Sequence, residues 1–182
     1  MRYIIVDLEA TCWKTRSENS PNEIIEIGAV MVNESGESLS EFCQFIKPLK
    51  HPILSDFCKE LTSITQAQVD NAQHFPEVLK AFQEWIGIDE HEYVLCSWGF
   101  YDASQFKKDC QLWGLEKSWL KPHISVKHQY TVVKDLSKHQ GMSGALDLEE
   151  IPLEGTHHRG IDDARNIAKI FVRYLDKWRF PK

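Results

Sequence analysis

The sequence predicts an α/β layered domain built on a mixed central sheet with helices around it. Three observations carry this. β-branched and apolar runs crowd the first quarter of the chain. From Pro76 onward, apolar residues recur at helical spacing. A further short strand, Tyr93 to Trp98, lies among those helices. Strands first, then helices with another strand between them, is the order of an α/β layered domain with a mixed sheet.

Arg2 to Leu8 is predicted as a buried strand, because Ile4, Ile5 and Val6 form a β-branched run. Cys12 to Asn22, with Ser17, Ser20 and Pro21, reads as a loop. Glu23 to Val32 is the second strand, with Ile25, Ile27, Ala29 and Met31 expected on one face. Asn33-Glu34-Ser35-Gly36 marks a hairpin turn, and Leu39 to Ile46 the third strand of an antiparallel meander. Val78, Leu79, Phe82, Trp85 and Ile86 line one face of a helix beginning near Pro76. Ala103, Phe106, Cys110 and Trp113 line another, ended by Gly114. Val126, Tyr130 and Val133 mark a third helix, and Ala145 with Leu148 a short one before Pro152. Ala164, Ile167, Ala168, Phe171, Tyr174, Leu175 and Trp178 form the broad stripe of a last helix, with Asp162 or Asp163 at its N-cap.

The 182 residues are expected to form one domain, 1–182. Apolar residues are 42% and charged residues 26%, which excludes a disordered chain, a collagen-like repeat and a disulfide-dense miniprotein. A domain of this size buries roughly 70% of its unfolded surface, enough for a core without staples. No apolar run approaches the ~20 residues of a membrane span, and the start lacks the layout of a secretory leader. The five cysteines include no CxxC pair, as expected of reduced thiols in a cytoplasmic protein. The formal charge of −6 argues against binding nucleic acid by bulk charge. It leaves open an enzyme whose carboxylates hold cations that attract phosphates.

Three acidic motifs bear chemistry. In Asp7-Leu8-Glu9 the two acids lie two apart on a strand and so share a face, at the end of an apolar run. Paired carboxylates at a strand end suit a hard divalent cation, Mg²⁺ or Mn²⁺; solvated acids are the bland alternative. Asp102 follows a strand and opens a helix, where it could serve as an N-cap. Gly155 to Asp163 contains two His-to-Asp spacings of five: His157 with Asp162, and His158 with Asp163. On a continuous helix such a pair diverges by about 140°. The two can meet only if the histidine precedes the helix and the aspartate sits in its first turn.

Four stretches together resemble the 3′→5′ exonucleases of the DEDDh family, in particular the branch of histone-mRNA 3′ exonucleases that is also associated with RNA-interference control. They are Val6 to Cys12, Glu23 to Val30, Phe57 to Gln66 and His158 to Ala164, and the likeness runs from about Tyr3 to Leu175. The resemblance implies a ribonuclease-H-like fold and release of nucleoside 5′-monophosphates from the 3′ end of single-stranded RNA or DNA. It implies two divalent cations, Mg²⁺ or Mn²⁺, held by Asp7, Glu9, Asp102 and Asp163, with His158 as general base. It also favours the His158–Asp163 register, since Gly160 and Ile161 fit the family spacing. Ala10 and Thr11 would meet the 3′ end, and Ile64 and Tyr101 the base or sugar. Tyr101 stands where the branch usually has Trp, and Ser63 where relatives carry Gly. Arg159 is a candidate phosphate contact. Glu116 to Gln140, with five lysines against two acids, could guide a strand. The rival readings are a catalytically silent nucleic-acid-binding protein and a phosphohydrolase of short oligonucleotides.

Overall fold

The computed structural model describes residues 1–15 and 21–181. Part of the predicted Cys12–Asn22 loop, residues 16–20, lies outside the described residues. Five strands, β1 (Arg2–Ala10), β2 (Ile24–Val32), β3 (Ser38–Phe45), β4 (Tyr93–Ser97) and β5 (His123–Ser125), form one mixed sheet in the order β3-β2-β1-β4-β5. β1, β2 and β3 are the expected antiparallel meander, whereas β4 and β5 join parallel to β1 and β4. The meander turns at Asn33, whose side chain accepts hydrogen bonds from the Ser35 and Glu37 N–H groups at 2.9 Å, an Asx turn.

Seven helices are described: α1 (Asp56–Thr62), α2 (Gln66–Asp70), α3 (Phe75–Ile86), α4 (Tyr101–Leu112), α5 (Val126–Val133), α6 (Met142–Leu148) and α7 (Gly160–Arg173). Side chains of β1 alternate between two layers. Tyr3 and Ile5 pack with Phe171, Ile167 and Ala164 of α7. Ile4, Val6 and Leu8 pack with Phe82 of α3 and Phe106 of α4. Each fully buried aliphatic side chain is worth roughly 1.5–3 kcal/mol against exposure, so these two layers supply most of the cohesion.

Four expectations are corrected. Ile25 does not share the face of Ile27, Ala29 and Met31, because a bulge opposite Glu9/Ala10 turns it into a separate cluster and puts Ile24 in its place. On α6 the buried face is Met142, Ala145 and Leu146, while Leu148 is exposed. α7 stops at Arg173, after which the chain tightens into a 3₁₀ turn, Leu175–Lys177. There the Trp178 indole N–H donates to the Phe171 carbonyl at 2.8 Å, satisfying a last-turn acceptor that a longer helix would have used. The N-cap of α7 is Arg159, with Asp162 and Asp163 inside the first turn. No helix among the described residues is long and apolar enough to cross a membrane.

Candidate active site

The alternation of β1 places the first two acids. Asp7 and Glu9 continue the series of Tyr3 and Ile5 toward the α7 layer, at the C-terminal end of the strand. Because β4 runs parallel to β1, its exit through Trp98 to Phe100 delivers the start of α4 to the same end of the sheet. The expected capping role is not taken by Asp102. The N-cap is Phe100, and Asp102 Oδ1 instead accepts the Leu8 N–H at 3.1 Å. The acid is thereby tied to the middle of the Asp7-Leu8-Glu9 motif.

Asp163 arrives on α7, and close approach of backbones sets its position. A Cβ on Gly28 would lie 2.0 Å from the Gly160 carbonyl carbon, and one on Gly160 would lie 3.0 Å from the Asp7 carbonyl oxygen. At position 28 only glycine lets the start of α7 rest on the sheet, and at position 160 a side chain would push the two backbones apart by a few tenths of an ångström. Glu26 of β2, fully buried, then receives that end of α7. Its carboxylate accepts the Gly160 N–H at 3.0 Å and both Arg159 Nε and Nη2, at 3.2 and 3.0 Å. A carboxylate at a helix N-terminus is favoured by the exposed N–H groups and the helix dipole. Arg159 is thus spent on Glu26 and the Phe45 ring, 5.2 Å away, rather than offered to a phosphate.

Asp7, Glu9 and Asp163 each offer a carboxylate oxygen, all within 4.8 Å of one another. Asp102, His157 and His158 line the same cavity, of about 390 Å³. The two histidines divide their contacts. His157 Nδ1 lies 3.1 Å from both Asp163 oxygens, whereas His158 meets Asp163 through its backbone N–H, also at 3.1 Å. His158 has φ +65°, and its ring stacks on that of His157 at 4.0 Å. Asp162 turns away to the Thr156 N–H and Arg165.

Crowding governs the electrostatics. Burial pushes the Asp7 carboxyl well above its ordinary value, and neighbouring Asp102, Glu9 and Asp163 push it further. Glu9 is pushed up to about 8 by burial and then by Asp163 and Glu26. Burial raises Asp102 to about 6, against the pull of hydrogen bonds from its own and the Leu8 N–H. His158 is lowered by burial and by His157, with Asp163 opposing. Among the described residues no lysine or arginine forms an ion pair with the four acids; Asp163 has His157 alone. An all-oxygen donor set that is desolvated and unneutralised fits hard divalent cations.

The expected substrate contacts separate. Ala10 and Tyr101 line the cavity, and Tyr101 is half exposed. Ile64 is fully buried with Ile25, Leu54, Cys58 and Val69, so it has no surface for a base. Thr11 is buried, and its hydroxyl accepts the Glu23 N–H at 2.9 Å. Leu61, Trp98, Met142 and Lys127 line the cavity without having been singled out as contacts. No pattern flags the first three. Glu26 did leave a signal, a lone charge inside the apolar run Ile24–Val32. The lysine-rich stretch does not act as one surface: Lys127 reaches the cavity, but Lys134 is paired with buried Glu149 at 3.0 Å.

Residues 4–171 match the family model described as Exonuclease (RNase_T). The chain is 36% identical to human 3′-5′ exoribonuclease 1 over 182 residues, covering 94% of this chain and 51% of that protein. It is 35% identical to ERI1 exoribonuclease 2 of Xenopus laevis, covering 94% of this chain and 28% of that protein. It therefore spans about half, or little more than a quarter, of these curated relatives. Among solved structures, the nuclease domain of 3′hExo, a DEDDh family member bound to rAMP, superposes with a TM-score of 0.91 at 32% identity, covering 100% of this chain and 96% of that one. A 3′-exonuclease recognising the 3′ end of a histone mRNA stem-loop gives the same score and identity, covering 98% of this chain and 84% of that one. The fold is thus ribonuclease-H-like, with the divalent-metal use that goes with it. A matching domain across most of the sequence, relatives above one-third identity and a shared three-dimensional frame place this chain in the exonuclease family of ribonuclease T type, in its DEDDh group.

Proposed function

We propose that this chain is a 3′→5′ exoribonuclease that removes nucleoside 5′-monophosphates one at a time from a free 3′ end. The observation that carries the reading is the convergence of Asp7, Glu9 and Asp163 oxygens within 4.8 Å, in one cavity with Asp102 and two histidines. Asp7, Glu9, Asp102 and Asp163 would hold two divalent cations, Mg²⁺ or Mn²⁺. Bound there, such cations supply Lewis-acid stabilisation of charge on the phosphoryl oxygens and acidify a water.

The chain's own residues do the rest. His158 accepts the proton of the attacking water, for which a neutral imidazole is required. Its lowered pKa keeps it neutral at physiological pH. His157, held on the Asp163 carboxylate, fixes the loop that carries His158. Water oxygen bonds to phosphorus and the bond from phosphorus to the upstream 3′-oxygen breaks. That oxygen takes up a proton, and a 5′-monophosphate leaves. Ala10 and half-exposed Tyr101 border the space for the terminal nucleotide, where stacking is worth about 1–3 kcal/mol per base and is sequence-tolerant. RNA is favoured over DNA by the exoribonuclease names of the relatives.

A 5′-labelled RNA oligomer incubated with Mg²⁺ tests the reading. A ladder shortening from the 3′ end, with free 5′-monophosphates, supports it. Internal cleavage, or an intact oligomer, refutes it.

A further inference from the structure

Two adjoining clefts, of about 750 and 690 Å³, lie beside the catalytic cavity and share Ser104, Lys107 and Lys121. Lys108 and Lys117 complete the basic lining of the second. No aspartate or glutamate lines either cleft, although acids outnumber lysines and arginines 27 to 21 in the chain. All four lysines are exposed, and among the described residues none of them forms an ion pair. The lysines come from α4 and the segment directly after it, all within residues 107–121.

The first cleft adjoins the catalytic cavity at one loop, although the two share no lining residue. Gly99 and Tyr101 line the cavity while Phe100, between them, lines the first cleft and is 57% exposed. At that junction the Lys127 ammonium lies 3.4 Å from where a Gly99 Cβ would be. From Asp102 at the catalytic cavity, α4 carries Lys107 and Lys108 five and six residues on, at least about 8–9 Å away along the axis at ~1.5 Å per residue and turned about 140° and about 120° around it in opposite senses. That span is about two to three nucleotides at ~3.4 Å per stacked step.

We propose that Lys107, Lys108, Lys117 and Lys121 form a track for the phosphodiester backbone of a single strand whose 3′ end occupies the catalytic cavity. It rests on the exonuclease reading for direction, though its binding chemistry is independent of hydrolysis. Each lysine faces a phosphate, and Phe100 and Lys127 hand the strand into the cavity.

The test is fluorescence anisotropy of a labelled RNA 12-mer without divalent cation, at rising salt, alongside hydrolysis of an RNA dinucleotide with Mg²⁺. For a single strand the slope of log affinity against log salt falls by about 0.7 per lost phosphate contact. Wild type should therefore lose about 50-fold more affinity than the fourfold Lys→Ala variant between about 50 and about 200 mM salt. The fourfold Lys→Arg variant, which keeps the charge, should bind as wild type does. An Ala variant with wild-type affinity and salt slope overturns the track, as does a wild-type protein that does not bind the 12-mer. Binding that follows these slopes in a protein that hydrolyses neither substrate leaves the track standing and removes the exonuclease reading.

Discussion

Gly28→Ala probes how the site is assembled without touching any group that does chemistry. The added methyl would sit 2.0 Å from the Gly160 carbonyl carbon, 2.0 Å from the Ile161 nitrogen and 2.4 Å from the Gly160 oxygen. Carbon contacts are comfortable at about 3.5–4.0 Å, so the start of α7 must back away by about 1.5 Å. All three atoms are backbone, so no side chain can rotate aside. Overpacking of this kind costs about 1–3 kcal/mol, equivalent to about 2–12 °C in Tm for a chain of this length. The same displacement carries Asp163 and the His157–His158 loop away from Asp7 and Glu9, and a misplacement of about 1 Å costs about 10²-fold in rate. Tm from thermal unfolding and kcat/KM on an RNA oligomer read the two effects. A Gly28→Ala protein that melts and cleaves like wild type refutes the argument that this glycine contact seats the catalytic helix.

His158→Ala should lower kcat by about 10²–10⁴-fold with little change in Mn²⁺ affinity, whereas His157→Ala should cost less than about tenfold in turnover. The opposite ranking reassigns the base to His157. In EDTA the contribution of the Glu9–Asp102 cluster to stability should be greatest below about pH 4 and be lost as pH rises toward about 8, opposed by Glu149 and His123, whose lowered pKa values favour folding at higher pH. Glu9 and Asp102 hold protons in the folded state, up to about 8 and about 6, that the unfolded chain has already released. The loss is of the order of a few kcal/mol at ~1.4 kcal/mol per pKa unit, and Mg²⁺ should restore Tm most at high pH. A Tm–pH profile in EDTA that is the same for wild type and for Glu9→Gln/Asp102→Asn contradicts the crowded-carboxylate reading. Ser63 caps α1 at φ +59°, where glycine is at ease, so Ser63→Gly should raise stability by about 1 kcal/mol. An unchanged or lowered Tm contradicts that.

The meander, β4, α3, α4 and α7 were legible because long apolar patterns of period 2 or 3.6 announce them. α1, α2 and β5 were not: at three to seven residues they also lack the uninterrupted apolar run that marks the equally short β4. α2 carried one readable sign, the Thr65/Gln68 capping box. Asp7 and Glu9 were placed correctly on one face by strand parity alone. That Asp102 and Asp163 join them depends on β4 pairing parallel to β1 and on the Gly28–Gly160 approach, neither of which is local in sequence. Ile64 misled for the same reason: its neighbours Ile25, Leu54 and Val69 come from three distant segments. Arg159 was no more than a candidate phosphate contact in the sequence, and its actual partner, Glu26, was hidden because it lies 133 residues away.

The direct test of the metal-and-carboxylate centre is anomalous diffraction from crystals soaked in Mn²⁺, of wild type and of Asp163→Ala. Anomalous peaks bounded by Asp7, Glu9, Asp102 and Asp163, weakened or lost in the variant together with exonuclease activity, are the expected result. An actively cleaving protein with no Mn²⁺ in that cavity, or with Mn²⁺ bound only elsewhere, would contradict it.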